Sequence, residues 1–106
     1  MDKERNTFMY LDEAQAIVRG RTACVGLSLQ SLTASMADLD LYWMARGTER
    51  GVQIRIFTAH AHGDEQWQLE YVSRDYHMTH ALTYALAEWF VIQSRDERPF
   101  VILRFR

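Results

Sequence analysis

Between residues 52 and 72 the chain alternates twice, and on either side of this pair the apolar residues switch to steps of four and three. Val52, Ile54, Ile56 and Thr58 alternate with Gln53, Arg55, Phe57 and Ala59, and Trp67, Leu69 and Tyr71 alternate with Gln66, Gln68, Glu70 and Val72. A period of two belongs to a strand with one face on a core. Two such runs joined by a polar loop around His62, Gly63, Asp64 and Glu65 read as a hairpin. Beyond it, Met78, Leu82, Ala85, Trp89 and Ile92 fall on one side of a helix. Residues 95–99 close that helix, because Pro99 disfavours a helical residue before it, and residues 100–106 read as a final strand.

Upstream of the hairpin, Asp12-x-x-Gln15 has the form of a capping box and Gly20 stands where a terminal glycine would be. A short helix over 13–19 is the expectation. From Val25, apolar residues recur at Leu29, Leu32, Met36, Leu39 and Trp43, and Arg46 and Gly47 mark an end. This predicts one long helix over 23–46, with Thr22 as its cap. The competing reading takes residues 25–30 as a half-buried strand, since they alternate apolar with small or polar, and starts the helix near Thr33. The unbroken four-three spacing favours the long helix.

The expected fold is α+β: a three-stranded antiparallel sheet, hairpin plus C-terminal strand, packed against two main helices with a short N-terminal helix. The C-terminal strand is expected beside Val52 to Thr58, which would make that strand central. If residues 23–30 are a strand, the order becomes βαββαβ and resembles a ferredoxin-like fold carrying an extra N-terminal helix.

At 106 residues, opening on a methionine, a single and complete domain over 1–106 is expected, large enough to bury a core without staples. Hydrophobic residues make up 48% and charged residues 25%, which suits a globular chain and not a disordered one. Twelve bases against fourteen acids give a net charge of -2, so no global field draws in nucleic acid or an anionic membrane. One cysteine, Cys24, rules out an internal disulfide and suits a reducing compartment. The polar first six residues lack a signal-peptide core, and the most apolar window, residues 81–92, is too short to span a bilayer. A cytoplasmic protein is the expectation. Eleven of the twelve bases are Arg, a residue suited to planar contacts as well as a mark of GC-rich coding.

Little here points to catalysis. Phosphate-loop, nucleophile-elbow and dinucleotide signatures are absent, and the spaced Gly47 and Gly51 lack the Lys-Ser/Thr of a phosphate loop. His60 and His62 sit near Asp64 and Glu65, while His77 and His80 flank a helix start three residues apart. A zinc site needs ligands converging on the metal, and a strand's length is expected between the two pairs. They are read as solvated, with no metal and no cofactor; a small metal-dependent enzyme using these histidines is one alternative. Cys24 reads as a small core residue, and Asp38 and Asp40 as solvated carboxylates.

The surfaces invite more. On the long helix, Leu27, Ala34 and Leu41 would lie opposite the core stripe, making it apolar on two sides. The open sheet face would mix Arg55, Glu70 and Arg104 with Phe57, Val72 and Ile102, a composition found at protein interfaces. Leu27, Leu41, Arg55, Phe57, Ile102 and Arg104 are therefore the candidate partner-binding residues. The expectation is a small non-enzymatic protein acting by stoichiometric contact with a protein partner, a second copy, or both. It would serve as an inhibitor, adaptor or accessory protein. Small phage-type inhibitors of host defence, anti-CRISPR proteins among them, are similar in this general profile. A module binding single-stranded nucleic acid through Phe57 and the arginines is the other alternative.

Overall fold

A computed structural model describes residues 3–7, 9–23, 26–58, 67–73, 77–94 and 101–105, with side chains over 9–23, 26–57, 69–73 and 77–94. In chain order the elements are β1 (Lys3–Thr7), α1 (Leu11–Arg21), α2 (Leu29–Asp38), β2 (Leu41–Thr48), β3 (Gly51–Thr58), β4 (Trp67–Ser73), α3 (Met78–Ser94) and β5 (Val101–Phe105). The fold class is α+β. Its sheet has five strands in the order β1-β5-β4-β3-β2. Strands β2, β3 and β4 form a three-stranded antiparallel unit, and β5 and β1 extend it in parallel.

The core follows from α3. Residues 81–88 of this helix are buried without interruption. Thr83 and Glu88 apart, these residues are apolar or aromatic, and a helix apolar over most of its circumference must be covered on most sides. It lies over β3 and β4, with α1 packed on it and α2 wedged against both α3 and β2. Leu82, Ala85 and Leu86 meet Val52, Ile54, Ile56, Leu69 and Tyr71 in one continuous cluster, which Ala14 and Val18 of α1 and Leu32 and Met36 of α2 complete. Each fully buried aliphatic side chain contributes about 1.5–3 kcal/mol of transfer free energy.

Both hairpin strands and the last helix lie where the patterning places them. The segment before them differs. The predicted helix over 23–46 is a shorter helix followed by a strand, and two local features make the division. Ser28 caps the start: its hydroxyl accepts from Ser31 N at 3.1 Å, and the Ser31 hydroxyl accepts from Ser28 N at 3.1 Å. That reciprocal pair satisfies amides that an upstream turn of helix would otherwise occupy. At the other end Asp40 has φ 56°, and its N–H bonds back to Ala37 O at 3.0 Å. Aspartate tolerates this left-handed conformation better than most residues. Two carboxylates, Asp38 and Asp40, also oppose the negative end of the helix dipole, so helix is disfavoured there. The chain then leaves as β2, with Leu41, Trp43 and Ala45 turned to the core. The four-three spacing thus runs through two elements of different period. Nor is 25–30 a strand: residues 26–28 are irregular, and Cys24 and Val25 lie outside the described residues. The ferredoxin-like order is therefore not formed.

The C-terminal strand pairs with β4, not β3 as expected, and it runs parallel. The far flank of β3 is already taken by β2, across a tight turn at Glu49 and Arg50. Gly51 follows that turn with φ 142°, a conformation that favours glycine. Helix α3 then carries the chain back over the sheet, and a strand that follows such a crossover pairs in parallel. The edge strand β1 has no counterpart in the expected fold. The first helix is longer than 13–19: it starts after Tyr10, which makes no side-chain cap, and Gly20 lies inside it. Asp12 sits in the first turn and accepts from Glu13 N at 3.0 Å.

Candidate protein-binding edge

Alternation along each strand separates two sheet faces. With the core residues turned to the helices, Tyr42, Met44 and Arg46 of β2, Gln53, Arg55 and Phe57 of β3, and Glu70 and Val72 of β4 share the opposite face. Ile102 and Arg104 of β5 stand in register with Glu70 and Val72.

The middle of this face is a polar ladder of two hydrogen bonds and an ion pair. Arg46 Nε donates to Gln53 Oε1 at 2.8 Å, Gln53 Nε2 donates to Glu70 Oε1, and Arg55 Nε stands 3.9 Å from Glu70 Oε2. Gln53 is 9% exposed, and Glu70 and Phe57 are 7% exposed. A carboxylate this sheltered needs hydrogen bonds and an opposite charge, and the ladder supplies both.

Strand β2 is different. With β1 it is one of the two edge strands, and among the described residues nothing pairs with its outer edge. Tyr42 is 57% and Met44 50% exposed. The Tyr42 ring leans on Phe57, with centroids 5.9 Å apart and planes tilted by 49°. Edge strands are usually blunted by lysine, proline, a bulge or brevity, because their free N–H and C=O groups invite another strand. The eight residues of β2 contain no lysine or proline, and Arg46 is their only charge. Pairing to β3 runs unbroken from Leu41–Thr58 to Thr48–Gly51, while the one irregularity lies on the other side of β3, between Ile56 and Phe57.

The helix behind this edge is just as bare of charge. Residues 22–37 carry no Asp, Glu, Lys or Arg, in a chain where a quarter of residues do. Thr33, Ala34 and Ala37 face outward from α2. Between α2 and β2 opens a groove of about 430 Å³ lined by Thr33, Ala37, Asp40, Leu41, Tyr42 and Trp43. A second groove of about 340 Å³ lies between α1 and α3, where the Arg21 guanidinium stands 5.5 Å from the centre of the Phe90 ring.

The expected site residues divide accordingly. Arg55 and Phe57 share the open face, but within the ladder and under Tyr42. Leu41 is 4% exposed and belongs to the core, with one side on the α2–β2 groove. Leu27 precedes α2 and packs partly against the core, and Ala34 is on α2; the expected Leu27/Ala34/Leu41 stripe does not form because no single helix holds all three. For Ile102 and Arg104 only the register is described. Tyr42 and Met44 are not among the expected residues, because the long-helix reading takes 41–46 as helix. The signal was present in the alternation of Leu41, Trp43 and Ala45 with them.

The histidines form no larger cluster among the described residues. His77 and His80 stack with ring centroids 4.3 Å apart, while His60, His62, Asp64 and Glu65 lie outside the described residues. No group of three metal-ligating side chains occurs among the described residues. In the interior, Tyr71 stacks on Tyr84 with centroids 5.9 Å apart, and its hydroxyl meets no hydrogen-bond partner among the described residues. Burial pushes the Tyr71 phenol well above its ordinary range, and the Glu88 carboxylate and Tyr84 add to the effect. No helix among the described residues is long and apolar enough to cross a membrane.

No family model, curated protein or solved structure matches this chain.

Proposed function

We propose that this protein acts by stoichiometric, non-enzymatic contact with another protein chain, made through the edge strand β2 and the Tyr42–Met44 strip beside it. The observation that supports this reading most is the undefended edge: eight regular residues, two half-exposed large apolar side chains and one charge. Strand addition at such an edge uses main-chain hydrogen bonds for affinity and alternate side chains for specificity. The outer side of α2, whose one charge is Asp38 at its last residue, widens the same surface. An inhibitor, an adaptor and an accessory subunit all fit this mode of action.

The test is capture from a lysate of the encoding organism by three forms of the protein. Wild type and Arg19→Ala, a change on the exposed side of α1, should retain a stoichiometric partner or a second copy, and Tyr42→Asp should lose it. Equal capture by all three would place the contact elsewhere. Salt-dependent binding of single-stranded RNA or DNA through Tyr42 and Arg46, with no protein contact, would replace this reading with nucleic-acid recognition.

A further inference from the structure

Resting on that reading, we propose that the chain seated on β2 is a second copy of this protein. The two β2 strands would run antiparallel about a two-fold axis at Met44, joining two five-stranded sheets into one.

The argument is the self-complementarity of the strand. A two-fold seam pairs residue i with residue j at a constant sum. Directly opposed side chains point to the same face, so only even sums keep the two open faces, and the two cores, on common sides. The strand runs from 41 to 48, so the two most nearly centred registers place either Met44 or Ala45 on the axis. With Met44 on the axis, Met44 meets the partner's Met44, and Tyr42 meets the partner's Arg46 twice over. On the core side, the bulky Trp43 meets the partner's Ala45. Aromatic beside cation, large beside small and apolar on apolar are the cross-strand pairs that stabilise a sheet. With Ala45 on the axis, Tyr42 meets the partner's Thr48 and Met44 the partner's Arg46, and those complementary pairs are lost. Arg46, the only charge on β2, opposes its own copy in neither register.

The flanking surface fits a second copy as well. Such a seam brings the outer side of each α2 toward its counterpart, where like charges would repel. Residues 22–37 carry none, and the carboxylates Asp38 and Asp40 stand only at the C-terminal end of the helix.

Light scattering on the purified chain at micromolar concentration should give twice the chain mass. Met44 is half exposed, so Met44→Lys and Met44→Glu should each keep the circular dichroism of wild type. Each alone sets two like charges directly opposite one another and should be a monomer. An equimolar mixture sets Lys against Glu and should restore a dimer, which native mass spectrometry would show to be the heterodimer. Variants that stay dimeric alone would place the seam away from β2 and overturn the inference. Monomeric variants that fail to combine would overturn the Met44 axis. A monomeric wild type would overturn the inference while leaving the proposed function standing, provided Tyr42→Asp still abolishes capture of a different protein. If that change is also silent, both fall.

Discussion

The centre of the open sheet face and its β2 edge belong to one surface, yet they deal with their outward side chains in opposite ways. At the centre, Gln53, Arg55 and Glu70 turn to one another, and little of Gln53 or Glu70 remains accessible. At the edge, Tyr42 and Met44 keep half of their surface in solvent, and the outer side of β2 has no strand beside it among the described residues. Polar groups that satisfy each other have little to offer a partner. Apolar side chains next to open main-chain valences have much to gain from one. The contrast teaches that arginines and aromatics on a sheet face do not by themselves mark an interface; what matters is whether the sheet has already used them.

Stability measurements can break this contrast. The largest effect is expected from Leu82→Ala, at the fully buried centre of α3, which should cost about 2–5 kcal/mol by chemical denaturation of the dilute chain. Met44→Ala should stay within about 0.5 kcal/mol under the same conditions. Similar losses at the two positions would mean that β2 is buried within the fold of a single chain. Next comes Glu70→Ala. It removes the acceptor of Gln53 and the counter-charge of Arg55, both sheltered, and should cost about 1–3 kcal/mol. A neutral Glu70→Ala would mean that the ladder is open to water, and the difference between centre and edge would shrink.

The smaller effects sharpen the picture of the elements on either side. Ser28→Ala removes the cap of α2 and should cost about 1 kcal/mol, with Ser28→Asp largely restoring it. No loss would favour a helix running continuously through residue 28. Tyr71 gives a dependence on pH whose sign follows from its raised folded-state pKa. The unfolded phenol ionises near its ordinary value of 10.0, while the folded one keeps its proton. Stability is therefore fully present below about pH 10 and declines as the pH rises above it. Tyr71→Phe should flatten this alkaline decline and change neutral-pH stability little. An unchanged decline would show that another group causes it.

Which parts of this fold could be read from residues alone has a physical explanation. Strands β3 and β4 each hold a period of two, helix α3 carries the four-three spacing within a segment that is buried all round, and each is bounded by a polar loop or a proline. Their patterns and their structures coincide. The stretch 22–48 misleads because Leu29, Leu32, Met36, Leu39 and Trp43 keep helical spacing across a helix, a left-handed residue and a strand. Periodicity sees spacing and not the turn at Asp40. The Ser28–Ser31 cap and the carboxylates at 38 and 40 are local signals that outweigh it. Placing β2 as a strand also decides the position of β5, since two strands cannot share one flank of β3. The candidate site was legible only in kind. Arg55 and Phe57 were placed on the correct face, but Tyr42 and Met44 emerged only once 41–48 was a strand.

Amide hydrogen exchange along β2 tests the central claim most directly. In the dispersed chain, the amides of residues 41–48 that do not bond to β3 should exchange rapidly, like those of any open edge. In the associated state, dimer or captured complex, these same amides should become strongly protected, while the exchange of α1 stays unchanged. Protection gained elsewhere, with the outward amides of β2 still exchanging at the dispersed rate, would contradict the account.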